Sequence, residues 1–291
     1  MINDVFISGC GDIGERVARL WQARGVTVNG MARSPASRAR LEAKGISAVP
    51  GDLDDARSLA ALPVHNALIY YFAPPPEGGA DPRIEHFLSA IPPDRLPCKI
   101  VYLSTSGVYG DHQGGWVNED TPPHPQTARA QARLKAETAV LNWGRTHEVP
   151  VVILRVGGIY GPGRLPIERI KQGQPVVRRA EAPYTNRIHA DDLAQVCMAA
   201  AERGADRRIY NVCDGEHSTM SDYFIAVADC LGLPHPPEIS LAEAQKVLNP
   251  GMLSYVNESR RMDNRRMREE LGVTLLYPTL HEGLLASTQA E

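Results

Sequence analysis

The sequence predicts an α/β fold: a doubly wound parallel sheet with a smaller C-terminal domain. Two observations carry this prediction. Through the first half, apolar runs alternate with amphipathic stretches, the pattern of parallel strands covered by helices. At the start, Val5-Phe6-Ile7 leads into Gly9-x-Gly11-x-x-Gly14, after which Val17, Ala18, Leu20 and Trp21 recur at helical spacing.

Strand, glycine turn and helix in that order form the unit that opens a Rossmann-type, dinucleotide-binding sheet. Gly9 permits the tight turn, Gly11 lets the backbone approach a pyrophosphate, and Gly14 lets the helix pack close to the strand. The helix N-terminus then offers free N–H groups to the phosphates. Asp12 and Ile13, inside the motif, are counted with the three glycines as cofactor-binding.

Composition narrows the function classes. The chain has 291 residues, enough for one large domain or two unequal ones. Hydrophobic residues make up 43% and charged residues 22%, and the net charge is −3 with no basic tract, so a nucleic-acid partner is not expected. No apolar run is long enough to span a membrane and the chain starts directly on a core strand, so the expected location is the cytoplasm. Five scattered cysteines without a C-x-x-C pair, and nine histidines without a metal-binding cluster, imply neither a disulfide framework nor a metal.

Taken in order, the second strand covers 26–31 and runs into Ala32-Arg33-Ser34, with Arg38 one turn on. A carboxylate at that strand end would hydrogen-bond an adenosine ribose and favour NAD. An arginine and a serine there suit a 2′-phosphate instead, so NADP is expected over NAD, with Arg33 and Ser34 as ligands. A third strand at 46–49 precedes Gly51-Asp52-Leu53-Asp54-Asp55. Asp52 and Leu53 are placed at the adenine, and Asp54 or Asp55 is read as a helix cap. A fourth strand at 67–72 ends in Ala73 and the loop Pro74-Pro75-Pro76-Glu77-Gly78-Gly79, which either covers the cofactor or merely connects. The fifth, at 99–103, runs into Ser104-Thr105-Ser106-Gly107-Val108-Tyr109-Gly110. Ala73 and Ser104 complete the expected cofactor groove.

From that loop onward the chain resembles the extended short-chain dehydrogenases/reductases, the group of NAD(P)-dependent sugar-nucleotide epimerases and dehydratases. The resemblance continues through Leu154-Arg155, Ile159-Tyr160-Gly161-Pro162-Gly163, Asn186-Arg187-Ile188-His189-Ala190-Asp191, Tyr210-Asn211-Val212 and Glu269-Glu270-Leu271-Gly272. It implies a nucleotide domain of 1–160 plus about 189–213, and a substrate domain of about 161–188 plus 214–291. It also implies a small-molecule substrate and a possible homodimer through helices at 82–90 and 127–147.

The family's catalytic Tyr-x-x-x-Lys is missing. None of the ten tyrosines is followed four residues later by lysine. Aligned on Glu137, Arg129 takes the tyrosine place and Arg133 the lysine place, so the chain resembles an atypical subgroup. Arginine stays protonated and donates hydrogen bonds, but it does not shuttle protons. Ser106 matches the family's serine, which holds the reacting oxygen. Tyr109 either presents a substitute phenol or packs in its turn, and Tyr160 has the same two readings. Arg164, Arg178 and Arg187 fall in the segment expected to line the substrate pocket, where with Arg129 they either form a site for an anion or are solvated loop charges, while His189 is read as a structural hydrogen-bonding residue. Farther on, Ser218 or Ser221 with Asp222 opens a helix, Ser240 starts another, and the arginine-rich run 260–268 is expected to cover the substrate domain. The expected activity is NADP-dependent hydride transfer at a carbonyl or alcohol carbon. Epimerase or dehydratase chemistry on a sugar nucleotide and a non-catalytic NADP-binding regulator are the alternatives.

Overall fold

The computed structural model describes residues 2–76 and 81–289, without the side chains of Pro250 and Ser254. Glu77, Gly78 and Gly79 of the proline loop lie outside the described residues.

The chain opens with β1 (Asp4–Ser8), α1 (Asp12–Gln22), β2 (Thr27–Ala32), α2 (Pro35–Glu42) and β3 (Ser47–Pro50). It continues through β4 (Leu68–Tyr71), α3 (Pro82–Ser89), β5 (Lys99–Thr105), β6 (Trp116–Val117), α4 (Ala128–His147) and β7 (Val151–Val156). Next come β8 (Gly158–Tyr160), α5 (Ile167–Lys171), β9 (Val176–Val177), β10 (Tyr184–Thr185) and β11 (Arg187–His189), then α6 (Ala190–Arg203) and β12 (Arg208–Val212). The last part holds β13 (Ser218–Thr219), α7 (Met220–Leu231), β14 (Glu238–Ile239), α8 (Leu241–Val247), α9 (Pro250–Val256), β15 (Arg261–Met262), α10 (Arg265–Glu270) and α11 (Leu280–Gln289).

Seven strands form one parallel sheet in the order β12-β7-β5-β4-β1-β2-β3. Strand order therefore reverses between β1 and β4, and a crevice opens beyond their carboxyl ends. The two-residue period of β1 divides the core. Val5 and Ile7 pack with Val17, Trp21 and Leu193 on the α1/α6 face, while Phe6 packs with Tyr71, Phe87 and Val140 on the α3/α4 face. Tyr160, Ile170, Tyr223, Phe224 and Leu284 make a separate cluster joining β8, α5, α7 and α11.

Local signals placed most element starts. Thr127 caps α4 by accepting from the Ala130 N–H, and Ser240 forms a capping box with Glu243 at α8. At α7 the cap is Thr219, in a capping box with Asp222, rather than either neighbouring serine. The 260–268 run is not one surface helix. Asn186 Oδ1 accepts from the Met262 N–H, which helps hold β15 extended beside β6, and Met267 of α10 is buried in the core of the large sheet.

Candidate active site at the carboxyl edge of the sheet

The glycine turn stands at the reversal of strand order. Gly9 has φ +82°, and a Cβ there would lie 2.5 Å from the Ala73 N. Only glycine lets β1 end that close to the strand beside it. Gly11 is the N-cap of α1, uses no side-chain cap, and faces open space where its Cβ would point. A dinucleotide pyrophosphate fits this place: the backbone is bare and the first-turn N–H groups of an 11-residue helix point toward it.

Asp12 sits in that first turn. Arg16 Nε donates to its Oδ1 at 2.9 Å and Arg164 Nε to its Oδ2 at 2.5 Å. Burial pulls the Asp12 carboxyl up, but the two guanidinium hydrogen bonds outweigh it and hold the pKa below the ordinary carboxylate value. Arg16 also pairs with Asp191. Arg164 therefore reaches across to the glycine turn and not into the cavity expected to take substrate. Ile13 is buried inside α1.

At the end of β2, the Arg33 side chain is 70% exposed and only loosely paired, 4.0 Å from Asp52 and 3.8 Å from Asp54. Ser34 caps α2, its Oγ accepting from the Ser37 N–H. Asp55 caps the following turn, whereas Asp54 makes a two-pronged pair with Arg83 at 2.7 Å. Leu53 is buried, and its carbonyl contacts His86 Nδ1 at 2.8 Å. Arg40, which the sequence reading passed over, donates to the Cys10 carbonyl at 3.2 Å and pairs with Glu15 beside the same groove.

Beyond β5 and β7 lies a cavity of about 270 Å³. Four residues singled out in the sequence meet there: Ser106, Arg129, Tyr160 and Arg187. Ser106 makes no side-chain hydrogen bond among the described residues and is half-buried. Arg129 Nη2 donates to the Tyr255 hydroxyl at 3.4 Å. Arg187 is 5% exposed, with Nη1 donating to Ser218 Oγ at 2.9 Å and Nη2 to the Thr219 carbonyl at 3.3 Å. Its guanidinium stacks 4.3 Å from the Tyr223 ring centroid.

Several expected site residues do other work. Tyr109 is fully buried, and its hydroxyl donates to Asn211 Oδ1 at 2.7 Å; burial pushes the phenol up to about 12 despite Arg155 over its ring. It faces away from the cavity. The Ser104 hydroxyl donates to Glu137 Oε1 at 2.5 Å, and Glu137 pairs with Arg155 at 2.8 Å, both nearly inaccessible. Arg133 Nη1 donates to the Ala73 carbonyl at 3.1 Å and to the Tyr102 hydroxyl at 3.0 Å, tying α4 to the segment just after β4 and to the middle of β5. Tyr160 is 1% exposed and its hydroxyl points at Gly283, where a methyl group would collide with it. Burial drives that phenol's pKa far up, so it stays protonated and gives up its proton less readily than a free tyrosine. His189 Nδ1 accepts from the Asp191 N–H and caps α6, as expected; burial lowers its pKa. Arg178 pairs loosely with Glu181 outside the cavity.

The sequence reading missed Tyr184, Asn186, Tyr223, Tyr255, Glu258 and Arg260, all of which line the cavity. Asn186 had been seen only as part of a motif. Its Nδ2 donates to the Arg260 carbonyl at 3.1 Å, which brings that strand to the cavity wall. Arg260 had been seen only as the start of the arginine-rich run, and nothing in the local pattern marked the others.

A parallel sheet wound on both faces, with a bare glycine turn at its switch point and a polar cavity alongside, defines an NAD(P)-binding enzyme fold. The NAD dependent epimerase/dehydratase family model matches residues 86–213. Protein YeeZ of Escherichia coli K12 is 28% identical over 292 residues, covering 94% of this chain and 96% of YeeZ. A functionally unknown conserved protein from Silicibacter pomeroyi has a TM-score of 0.86 at 30% identity, covering 99% of both chains. UDP-glucose 4-epimerase from Thermotoga maritima, solved with UDP-glucose, has a TM-score of 0.81 at 18% identity, covering 98% of this chain and 97% of that one, a likeness of fold. The chain belongs to the NAD dependent epimerase/dehydratase family. No helix among the described residues is long and apolar enough to cross a membrane.

Proposed function

We propose that this protein is an NADP-dependent oxidoreductase of an atypical extended short-chain type, transferring hydride to or from a carbonyl or alcohol carbon. The observation that carries the reading is the position of Ser106. Its uncommitted hydroxyl opens into the cavity at the end of β5, beside the groove of the glycine turn. Gly9, Gly11 and the first turn of α1 would hold the pyrophosphate, with Arg33 and Ser34 at the adenosine ribose. The exposed Arg33 guanidinium and the absence of a carboxylate directly after β2 favour a 2′-phosphate. When bound, the nicotinamide supplies or takes the hydride.

The chain's own residues orient the reacting oxygen. Ser106 donates to it, and Arg129 adds positive charge where negative charge develops. Neither replaces the proton transfer of the missing tyrosine, which in general acid–base catalysis contributes roughly 10²- to 10⁴-fold. Slow turnover is therefore expected. Epimerisation or dehydration of a sugar nucleotide uses the same groove and is the second reading, since the cavity of about 270 Å³ adjoins a larger hollow at Thr127, Arg129 and Tyr255.

The test follows NADPH oxidation over a panel of aldehydes and ketones. Ser106→Ala should lower turnover by at least about tenfold, the scale of losing one oxyanion donor, and leave NADPH affinity intact. Unchanged turnover in that variant would sink the assignment.

A further inference from the structure

The charged lining of the cavity is one-sided: three guanidiniums, of Arg129, Arg187 and Arg260, face one carboxylate, that of Glu258. Glu258 offsets one of them, its Oε2 accepting from Arg260 Nη1 at 2.7 Å while its Oε1 has no hydrogen-bond partner among the described residues. Arg187 is different. It is buried, its protein partners are a hydroxyl, a carbonyl, a thioether and an aromatic face, and no carboxylate comes within ion-pair distance among the described residues. Asp214 and Asp222 act on it only at longer range. A buried cation without a paired anion is costly, and burial accordingly weakens its hold on the proton. Arg260, which lines the same cavity, has its Nε buried with no hydrogen-bond partner among the described residues. Met220 and Tyr223 of α7 form the wall beside Arg187, and the start of that helix is closed by the Thr219 and Asp222 capping box.

We propose that Arg187, assisted by Arg260, is an oxyanion subsite, and that the substrate is a small carbonyl or hydroxy compound bearing a carboxylate or phosphate. This rests on the reading that the cavity takes substrate, and it narrows that substrate. The planar guanidinium matches either oxyanion two-pronged, and the cavity of about 270 Å³ accommodates a compact molecule. Arg187 would fix the charged end while Ser106, which lines the same cavity, meets the reacting oxygen. Specificity then arises because an uncharged analogue leaves the buried guanidinium unpaired.

The experiment is calorimetric titration of the full chain with inorganic phosphate and, separately, with malonate, each with and without saturating NADPH. Two variants accompany the native protein. Arg187→Met removes the charge. Gly158→Asp guards against a folding defect in the first: Gly158 is exposed, its added Cβ would be no nearer than 3.4 Å to any neighbour, and it would lie 3.8 Å from Arg187 Cγ, setting a carboxylate beside the guanidinium. The expected result is anion binding to the native chain that weakens by roughly tenfold or more in both variants, with NADPH affinity unchanged. Phosphate as the better ligand assigns a phosphate ester, and malonate a carboxylic acid. No binding of either anion, or binding that both variants leave intact, overturns the subsite. Failure of NADPH to bind would instead overturn the cofactor reading, and variant-sensitive anion binding would still support the subsite.

Discussion

At the scale of single residues, burial decides what an ionisable group does. Tyr109 follows Ser106 by three positions, so its sequence neighbourhood alone allowed a catalytic phenol. In the folded chain its hydroxyl is committed to Asn211, and Arg155 covers its ring. Asp214 shows the energetic side of burial. Removal from water pushes its carboxyl up to about 7, and the hydrogen bond from the Glu216 N–H offsets this only partly. Because the folded-state pKa lies above the unfolded one, folding takes up a proton between about pH 4 and pH 7. The Asp214 contribution is therefore most favourable below about pH 4 and is lost as pH rises toward about 7. Asp214→Asn keeps an acceptor for Glu216 and removes the titration. Its stability relative to the native chain should rise through that window and level off above it, by up to about 4 kcal/mol, as read by denaturant unfolding against pH. A pH-independent difference would contradict the assignment.

At the scale of elements, the pair of Glu137 and Arg155 joins α4 to β7, and Ser104 ties β5 to the same carboxylate. Deleting the carboxylate in Glu137→Ala strands a buried guanidinium, and unfolding should show a loss of about 3–5 kcal/mol. A loss under about 1 kcal/mol would show that the pair does not hold these elements together. Elements with local signals were legible in the sequence. Thr127 begins α4, Ser240 begins α8, and the glycine turn separates β1 from α1, each through contacts within a few residues. The run 260–268 was not legible, because its arginines and methionines suit an amphipathic helix. Its extended half is set by β6 and by Asn186, partners about 145 and 75 residues away in the chain. The cavity wall was hidden for the same reason: Tyr223, Tyr255 and Arg260 reach it from three separate segments.

At the scale of the molecule, the alternating pattern and Gly9-x-Gly11-x-x-Gly14 were enough to place a parallel sheet and its crevice. They set the expectation of a nucleotide at that crevice and left open what lies opposite it. The fold fills that gap by carrying β8 through β11 over the carboxyl edge of the sheet, where Arg164 reaches back to Asp12 and Arg187 enters the cavity. The sequence reading sets Arg129 and Arg133 at the two positions of the family's Tyr-x-x-x-Lys; in the structure Arg133 is a clamp and Arg129 faces the cavity with Tyr255. All of this presumes a dinucleotide in the groove. The most direct measurement is calorimetric titration of the full chain with NADPH and with NADH. The account predicts tighter binding of NADPH, an advantage that Arg33→Ala reduces by roughly tenfold while NADH affinity holds. Binding of neither cofactor would contradict it.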